Sequence, residues 1–235
     1  MRKLKVSRFL QDPAHCAVAT AAVLANFQNP KMTYETSKEI AHKMFPNVSE
    51  GLTSAETGML LNKLGFKEVT IISSDLNYLD YSWIVYGKRK IINILKTAAK
   101  KNKDYRVVLK LLAKFLANKE FDNKLIINYH FSKYIKEAID SGIPVGANFN
   151  WTMFFEFSKI DPDNSKNPFC GQQEEHEVVI YGYSKKNVFL VDSHHKYYKY
   201  NLKKYRIGRY SIPWNEFMTV MGTGDIIIAK NYELV

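Results

Sequence analysis

Apolar and polar positions along this chain change period several times, and each change marks an element. Residues 14–27, "AHCAVATAAVLANF", are small and apolar almost throughout, which predicts a helix approached through Pro13. "MTYETSKEIAHKMF" (32–45) has helical spacing, with Thr33 as N-cap and Ile40, Met44 and Phe45 on its apolar side. "TSAETGMLLNKLGF" (53–66) predicts a third helix, capped by Thr53 or Ser54 and stopped at Gly65. "EVTIIS" (68–73) reads as a short strand.

A longer helical period follows. Ile91, Ile94, Leu95 and Ala98 form one stripe, and Val108, Leu111, Leu112, Phe115 and Leu116 form another, with "KNKD" between them. This predicts an amphipathic helical hairpin, inserted over residues 80–125. "FSKYIKEAIDSGIPVGANF" (131–149) reads as helix, Ser-Gly stop and strand, and 150–175 reads mostly as loop. "HEVVIYGY" and "NVFLVD" are strands of a hairpin joined by "SKK". "IPWNEFMTV" is a short helix or turn, and "DIIIAK" a last strand. Helices lead and strands follow, so the expected class is α+β, with an N-terminal helical half and a C-terminal antiparallel sheet.

Charge sharpens the picture at one place. The net charge is +11, and residues 82–119 hold eleven Lys/Arg against one acid, Asp104. A second basic cluster, "HHKYYKYNLKKYRIGRY" at 194–210, places six cations among five tyrosines. An acidic partner or an anionic surface would suit the hairpin, and a solvated face over the core would also explain it. No phosphate-binding glycine loop or nucleic-acid motif selects a partner.

The 235 residues, 46 % of them hydrophobic, suffice for a single domain spanning 1–235. Two cysteines, Cys16 and Cys170, cannot make a disulfide framework, and they suit a reducing compartment or a functional thiol. No stretch is long enough to span a membrane. The basic N-terminus imitates a signal peptide, but Gln11, Asp12, Pro13 and His15 interrupt the region that should be apolar. The expectation is a cytoplasmic monomer.

The chemistry centres on Cys16. A helix N-terminus favours a thiolate, because its free N–H groups and dipole stabilise the anion. A nucleophilic cysteine also needs a histidine within reach and a third group to orient it. His176 heads one strand of the late hairpin and Asp192 ends the other, so an antiparallel pairing can bring them together. The Gln11 amide and the Cys16 N–H could then serve a developing oxyanion. His15 reads as a solvent-facing loop residue, and Cys170 as a loop thiol near the site or a redox partner of Cys16. A zinc site drawn from Cys16, Cys170, His176, His194 and His195 has no supporting ligand spacing.

This ordered set resembles the papain-like cysteine peptidases. It is most similar to the branch of bacteriocin-leader-processing (C39-like) peptidases. The matching segments are Gln11 before Cys16, "YIKEAIDSGIPVGANF", His176–Tyr183 in "H-x-V-V-x-x-G-Y", Asp192, and "IPWNEF" before "DIIIAK". Ala17 stands where that branch usually has glycine. The resemblance implies a papain-like fold and cleavage of an amide bond in a peptide or protein substrate. It implies Cys16 as nucleophile, His176 as base, Asp192 as orienting group, Gln11 as oxyanion donor, and no cofactor. "PAHCAVATAAVLANF" is also similar, more weakly, to phytochelatin synthases, so an acyltransferase or transpeptidase on the same triad is the first alternative. A catalytically inactive module that binds an acidic partner is the second.

Overall fold

The computed structural model of the chain describes residues 1–155, 158–161, 165–194 and 208–233. In chain order the elements are β1 (Arg2–Lys3), α1 (Cys16–Gln28), α2 (Tyr34–Met44), α3 (Ser54–Lys63) and β2 (Phe66–Ser73). Next come α4 (Lys88–Lys101), α5 (Arg106–Ala117), β3 (Asp122–Ile127), α6 (Phe131–Asp140), β4 (Val145–Asn150) and α7 (Trp151–Phe155). The chain then forms β5 (Glu175–Tyr183), β6 (Asn187–Val191), β7 (Arg209–Pro213), α8 (Trp214–Val220) and β8 (Asp225–Tyr232). Single 3₁₀ turns lie at Val48–Glu50 and Tyr81–Val85.

Seven strands make one path, β3-β2-β8-β4-β5-β6-β7, and β1 pairs with β5 off that path. The α+β class holds. Helices cover both faces of the sheet. Val69, Ile71, Val179, Ile227 and Ala229 face one core with α1, α3 and the α4–α5 hairpin. Ile72, Val145, Ala147, Phe149, Val178, Ile180 and Ile226 face the other, with α6 and α8. Burial on both faces explains why "VTIIS", "EVVI" and "DIIIA" run apolar instead of alternating.

Three strands escape the hydrophobic pattern. β1 is two residues long, β7 ("RYSIP") is interrupted by polar residues, and β3 begins with "DNK". β3 changes the meaning of the hairpin before it. β2 and β3 are parallel. Parallel neighbours need a crossover connection, and α4–α5 is that crossover. The part of the chain expected to be helical therefore adds β2 and β3 to the sheet, besides the short β1. The segment expected as loop after residue 150 also begins with the short helix α7.

The helix starts follow their sequence signals. Thr33 caps α2 by accepting from the Thr36 N–H. Thr53, rather than Ser54, caps α3 in a full capping box with Glu56. Gly65 then takes φ +117°, and a Cβ there would run into the Glu233 carbonyl. Ala17–Ala25 of α1 are all buried. A helix buried on every side has no polar face, which explains its unbroken apolar run.

On the hairpin, Ile91, Leu95, Leu109, Leu112 and Phe115 are buried. All eleven Lys/Arg of 82–119 are exposed. The second basic cluster lies outside the described residues over 195–207.

Phe115 of α5 is held against α3 at Gly58. A Cβ on Gly58 would sit 2.7 Å from the Phe115 ring. Helix propensity alone favours alanine over glycine by about 1 kcal/mol. Overpacking a filled core costs ~1–3 kcal/mol. Gly58→Ala is expected to lower the urea midpoint; a rise would mean that the α3–α5 contact yields without cost.

Candidate functional site

Cys16 is the first residue of α1 and is partly exposed. The chain reaches it through a tight turn in which the His15 N–H donates to the Asp12 carbonyl at 3.1 Å. Ala14 in that turn has φ +59°, a left-handed conformation that is rare for alanine. Lys38 anchors Asp12 through an ion pair at 2.5 Å, and the Tyr34 hydroxyl accepts from the Asp12 N–H at 2.9 Å. No side chain caps α1 and no acid lies in its first turn. The free N–H groups of that turn therefore point toward Cys16 without a competing anion.

His176 and Asp192 meet because a β-bulge between Ile180 and Gly182 shifts the hairpin register by one residue. Val179 of β5 pairs with Val191 of β6. Continuing that register by one residue sets Asp192 beside Val178, on the same face as His176 and diagonal to it. His176 Nε2 and Asp192 Oδ1 are 2.8 Å apart, with His176 1 % and Asp192 4 % exposed. Asp192 also accepts from the His194 N–H at 2.8 Å and the Tyr210 hydroxyl at 2.9 Å. Arg8 fixes the backbone there by donating to the Asp192 and His194 carbonyls. The Trp151 ring stacks on the imidazole at 4.2 Å, tilted by 18°.

Burial alone would pull the His176 pKa down. The Asp192 charge and its hydrogen bond outweigh burial, the Cys16 side chain adds a hydrogen bond, and the imidazole is held well above its ordinary value. Burial would raise Asp192, but the His176 charge and its hydrogen bond hold that carboxyl low. With Nε2 committed to Asp192, Nδ1 is the nitrogen left for the thiol.

Gln11 sits on the Asp192 side of the site. Its backbone N–H donates to the Ser193 carbonyl at 3.0 Å. The side chain is 6 % exposed, and its Oε1 has no partner among the described residues. Gln11 lies outside the wall of the cavity that Cys16 faces.

His15 departs from expectation. It is buried, not solvent-facing, because the turn before α1 folds it against the His42 ring at 5.5 Å. Neither ring nitrogen has a partner among the described residues. Burial pulls its pKa down, so the ring is neutral near pH 7. Cys170 is an exposed free thiol, and Cys16 is free as well.

Sequence reasoning missed several groups around the site. Trp151 and Tyr210 fell in segments with no readable period, although both are large amphipathic residues close in sequence to other site elements. It also missed a cavity of about 470 Å³ that Cys16 shares with Asn148, Glu177 and Asp225. Asn148 of β4 pairs with both Glu177 of β5 and Asp225 of β8, so the two acids flank it in one row. Their side chains lie under α3. Ser54 donates to Asp225 Oδ2 at 2.6 Å, and Thr57 Oγ1 lies 3.2 Å from Glu177 Oε2. Burial pushes Glu177 up to about 8 and Asp225 up to about 6.

Thr57 Oγ1 is also 3.2 Å from the Thr53 carbonyl. One hydroxyl proton cannot serve both oxygens. A neutral Glu177 resolves this: its acid O–H donates to Thr57, and Thr57 donates to Thr53.

A carboxyl that holds its proton to about pH 8 when folded, but loses it near 4.5 when unfolded, makes the folded state lose stability as pH rises between those values. Above that window the loss is complete. Glu177→Gln keeps the shape and removes the titration. Urea unfolding at pH 5 and pH 8 should show the wild type losing stability, relative to the variant, by several kcal/mol, on the order of one per unit of pKa shift. Parallel pH curves would place Glu177 in a more polar setting than its burial implies.

Comparison with known proteins adds a family. A solved structure from Bacillus anthracis, described as a candidate C39-like peptidase, aligns over 99 % of this chain and 100 % of its own, at 13 % identity and TM-score 0.45. That likeness is too weak to carry an argument. None of the curated proteins compared matches the chain. The model of the Peptidase C39-like family matches residues 3–218. That match takes in most of the chain, from β1 to α8, and the chain belongs to the Peptidase C39-like family.

Proposed function

We propose that this protein is a cysteine peptidase that cleaves an amide bond of a peptide with a Cys16–His176–Asp192 triad. The observation that carries the reading is the buried 2.8 Å contact between His176 and Asp192, with the Cys16 side chain acting on the same ring. Structural histidines are seldom held between a buried carboxylate and a free cysteine at a helix start.

The chemistry follows from these positions. The Cys16 proton resides on His176 Nδ1 before substrate arrives, in keeping with a ring held in its charged form, and the sulfur attacks the substrate carbonyl carbon. The new oxyanion accepts from the Cys16 N–H and from the Gln11 side-chain amide. When the tetrahedral species collapses, His176 protonates the departing amine and a thioester remains on Cys16. Water then attacks the thioester as His176 takes one of its protons, and the thiol returns. Asp192 stays ionised and holds the ring in place. An amine in place of that water would give acyl transfer with the same residues. Product analysis with and without an added amine separates the two outcomes.

The exposed cations of α4 and α5 support a second role, capture of an acidic partner or of an acidic stretch of substrate. None of them takes part in an ion pair with another described residue.

Two expectations follow. Against a fluorogenic peptide that the wild type cleaves, Cys16→Ala should abolish turnover with folding intact, and Gln11→Ala should lower it by about a hundredfold. Slow alkylation of Cys16 by iodoacetamide at neutral pH, with full turnover by Cys16→Ala, would overturn the reading. Replacing Lys88, Lys96, Lys100 and Lys110 with glutamine should weaken binding of a polyglutamate peptide and flatten its salt dependence. The same variant should leave turnover of a small neutral substrate unchanged; equal binding by both proteins would make these charges a solvated face only.

A further inference from the structure

The cavity beside Cys16 has a charge opposite to that of the rest of the molecule. Five carboxyl side chains line it, Glu50, Asp75, Glu175, Glu177 and Asp225, and Glu177 holds its proton up to about pH 8. No Lys, Arg or His is among the described residues of its wall. The chain as a whole carries +11. A pocket this acidic in a protein this basic is a local arrangement, not an overflow of the average composition.

Two of the five acids are buried and incompletely partnered. Glu177 is 3 % exposed and Asp225 is 6 % exposed. Glu177 Oε1 and Asp225 Oδ1 have no hydrogen-bond partner among the described residues. Leaving a buried acceptor unsatisfied costs ~1–3 kcal/mol, more if it is charged. A fold that keeps two such atoms in the wall of an open cavity holds them ready for something that enters it.

The wall also limits what enters. Among the described residues, no three of His, Cys, Asp and Glu come together in a way that could hold a metal ion. The carboxylates are spread around the cavity and do not converge on a point, which suits an organic cation. Two tyrosines of the same wall, Tyr78 and Tyr105, stand with ring centroids 5.5 Å apart. Aromatic faces attract ammonium and guanidinium groups. The volume is in the range of small-molecule sites. Tyr105 stands at the residue before α5, and Val108 and Leu112 of α5 share the wall, so the basic crossover turns its inner edge to this cavity while its cations are exposed.

We infer that this cavity is the subsite that selects the substrate, by receiving a cationic nitrogen placed next to the bond that Cys16 attacks. The nitrogen is a lysine or arginine side chain of the peptide, or its free N-terminal ammonium. This inference rests on the peptidase reading for what Cys16 does, but the charge of the cavity can be tested without turnover. A cation seated against Glu177 and Asp225 completes their hydrogen bonding and brings the neighbouring carbonyl to Cys16. A group without a hydrogen-bond donor leaves both oxygens unpaired, and a neutral donor does not offset the negative charge of the wall.

The first test measures thiol reactivity. Ethylmethanethiosulfonate reagents with a trimethylammonium or a sulfonate head have the same reactive group. Each transfers its thioalkyl group to a thiolate, forming a disulfide and releasing methanesulfinate. The ratio of cationic to anionic rates at Cys16, divided by the same ratio at exposed Cys170, reports the local potential. It should exceed about tenfold at pH 8 and fall to within about twofold in Glu177→Gln/Asp225→Asn. If those buried changes unfold the protein, Glu50→Gln/Glu175→Gln at the exposed rim should lower the ratio in part. A wild-type ratio near one, or a Cys16 closed to both reagents, would overturn the inference.

The second test uses coumarylamide peptides. Acetyl-blocked peptides with lysine or alanine beside the scissile bond, and the alanine peptide with a free N-terminus, distinguish the two sources of the cation. Preference for blocked lysine assigns the side chain, and preference for the free N-terminus assigns the ammonium. Equal cleavage of all three overturns the subsite. Absence of any cleavage counts against the peptidase reading instead and leaves the thiol ratio to decide the inference.

Discussion

The structure around the site is organised by the need to bury one ion pair. His176 and Asp192 are removed from water, and an unpaired charge at either position would be strongly destabilising. Both carboxylate oxygens of Asp192, and its backbone groups, are therefore hydrogen-bonded. Oδ1 takes His176 and the His194 N–H, Oδ2 takes Tyr210, and the backbone carbonyl takes Arg8. The Asp192 N–H donates to the Gly208 carbonyl at 2.8 Å. Gly208 has φ +81°, and a side chain there would run into Arg8. Residues as distant as Arg8, Gly208 and Tyr210 are thus fixed by one requirement, that a charged pair sit in a dry place without an unmet hydrogen bond.

A second constraint acts on α1. It must lie flat on the sheet to deliver Cys16 to the end of β5, and only small residues allow that approach. A Cβ on Gly146 of β4 would be 3.2 Å from Thr20 of α1. The alanine-rich composition of α1 answers to this closeness as well as to helix propensity. It explains why a run that looks like generic core in the sequence is also the element that positions Cys16.

Much of this was legible in the sequence because the signals were local. The Thr53–Glu56 capping box, the Gly65 stop and the stripes of α4 and α5 are each set within a few residues. The His176–Asp192 meeting was legible only in outline: a three-residue turn makes the two strands partners, but a β-bulge between Ile180 and Gly182 sets the register that puts both residues on one face. β3 was not legible, because its first residues are polar and its place as a parallel neighbour of β2 depends on a crossover about fifty residues long. His15 was misjudged because nothing local reveals that His42, from another helix, closes over it. The acidic cavity was hidden for the same kind of reason. Its carboxylates come from residues 50, 75, 175, 177 and 225, and only the folded sheet gathers them.

The alternation of a strand ties the two halves of the site together. His176 and Glu177 are consecutive in β5, so their side chains leave the sheet on opposite faces. His176 points with Val178 and Ile180 into the core that holds Trp151 and Phe149. Glu177 points with Val179 toward α1 and α3, where Thr57 meets it. Cys16, at the end of α1, acts on the first and shares a cavity with the second. Shifting β5 by one residue would exchange a base for an acid on each face and leave both in the wrong surroundings. The register that orients the imidazole is therefore the same register that charges the cavity, and neither can be altered by sliding the strand without losing the other.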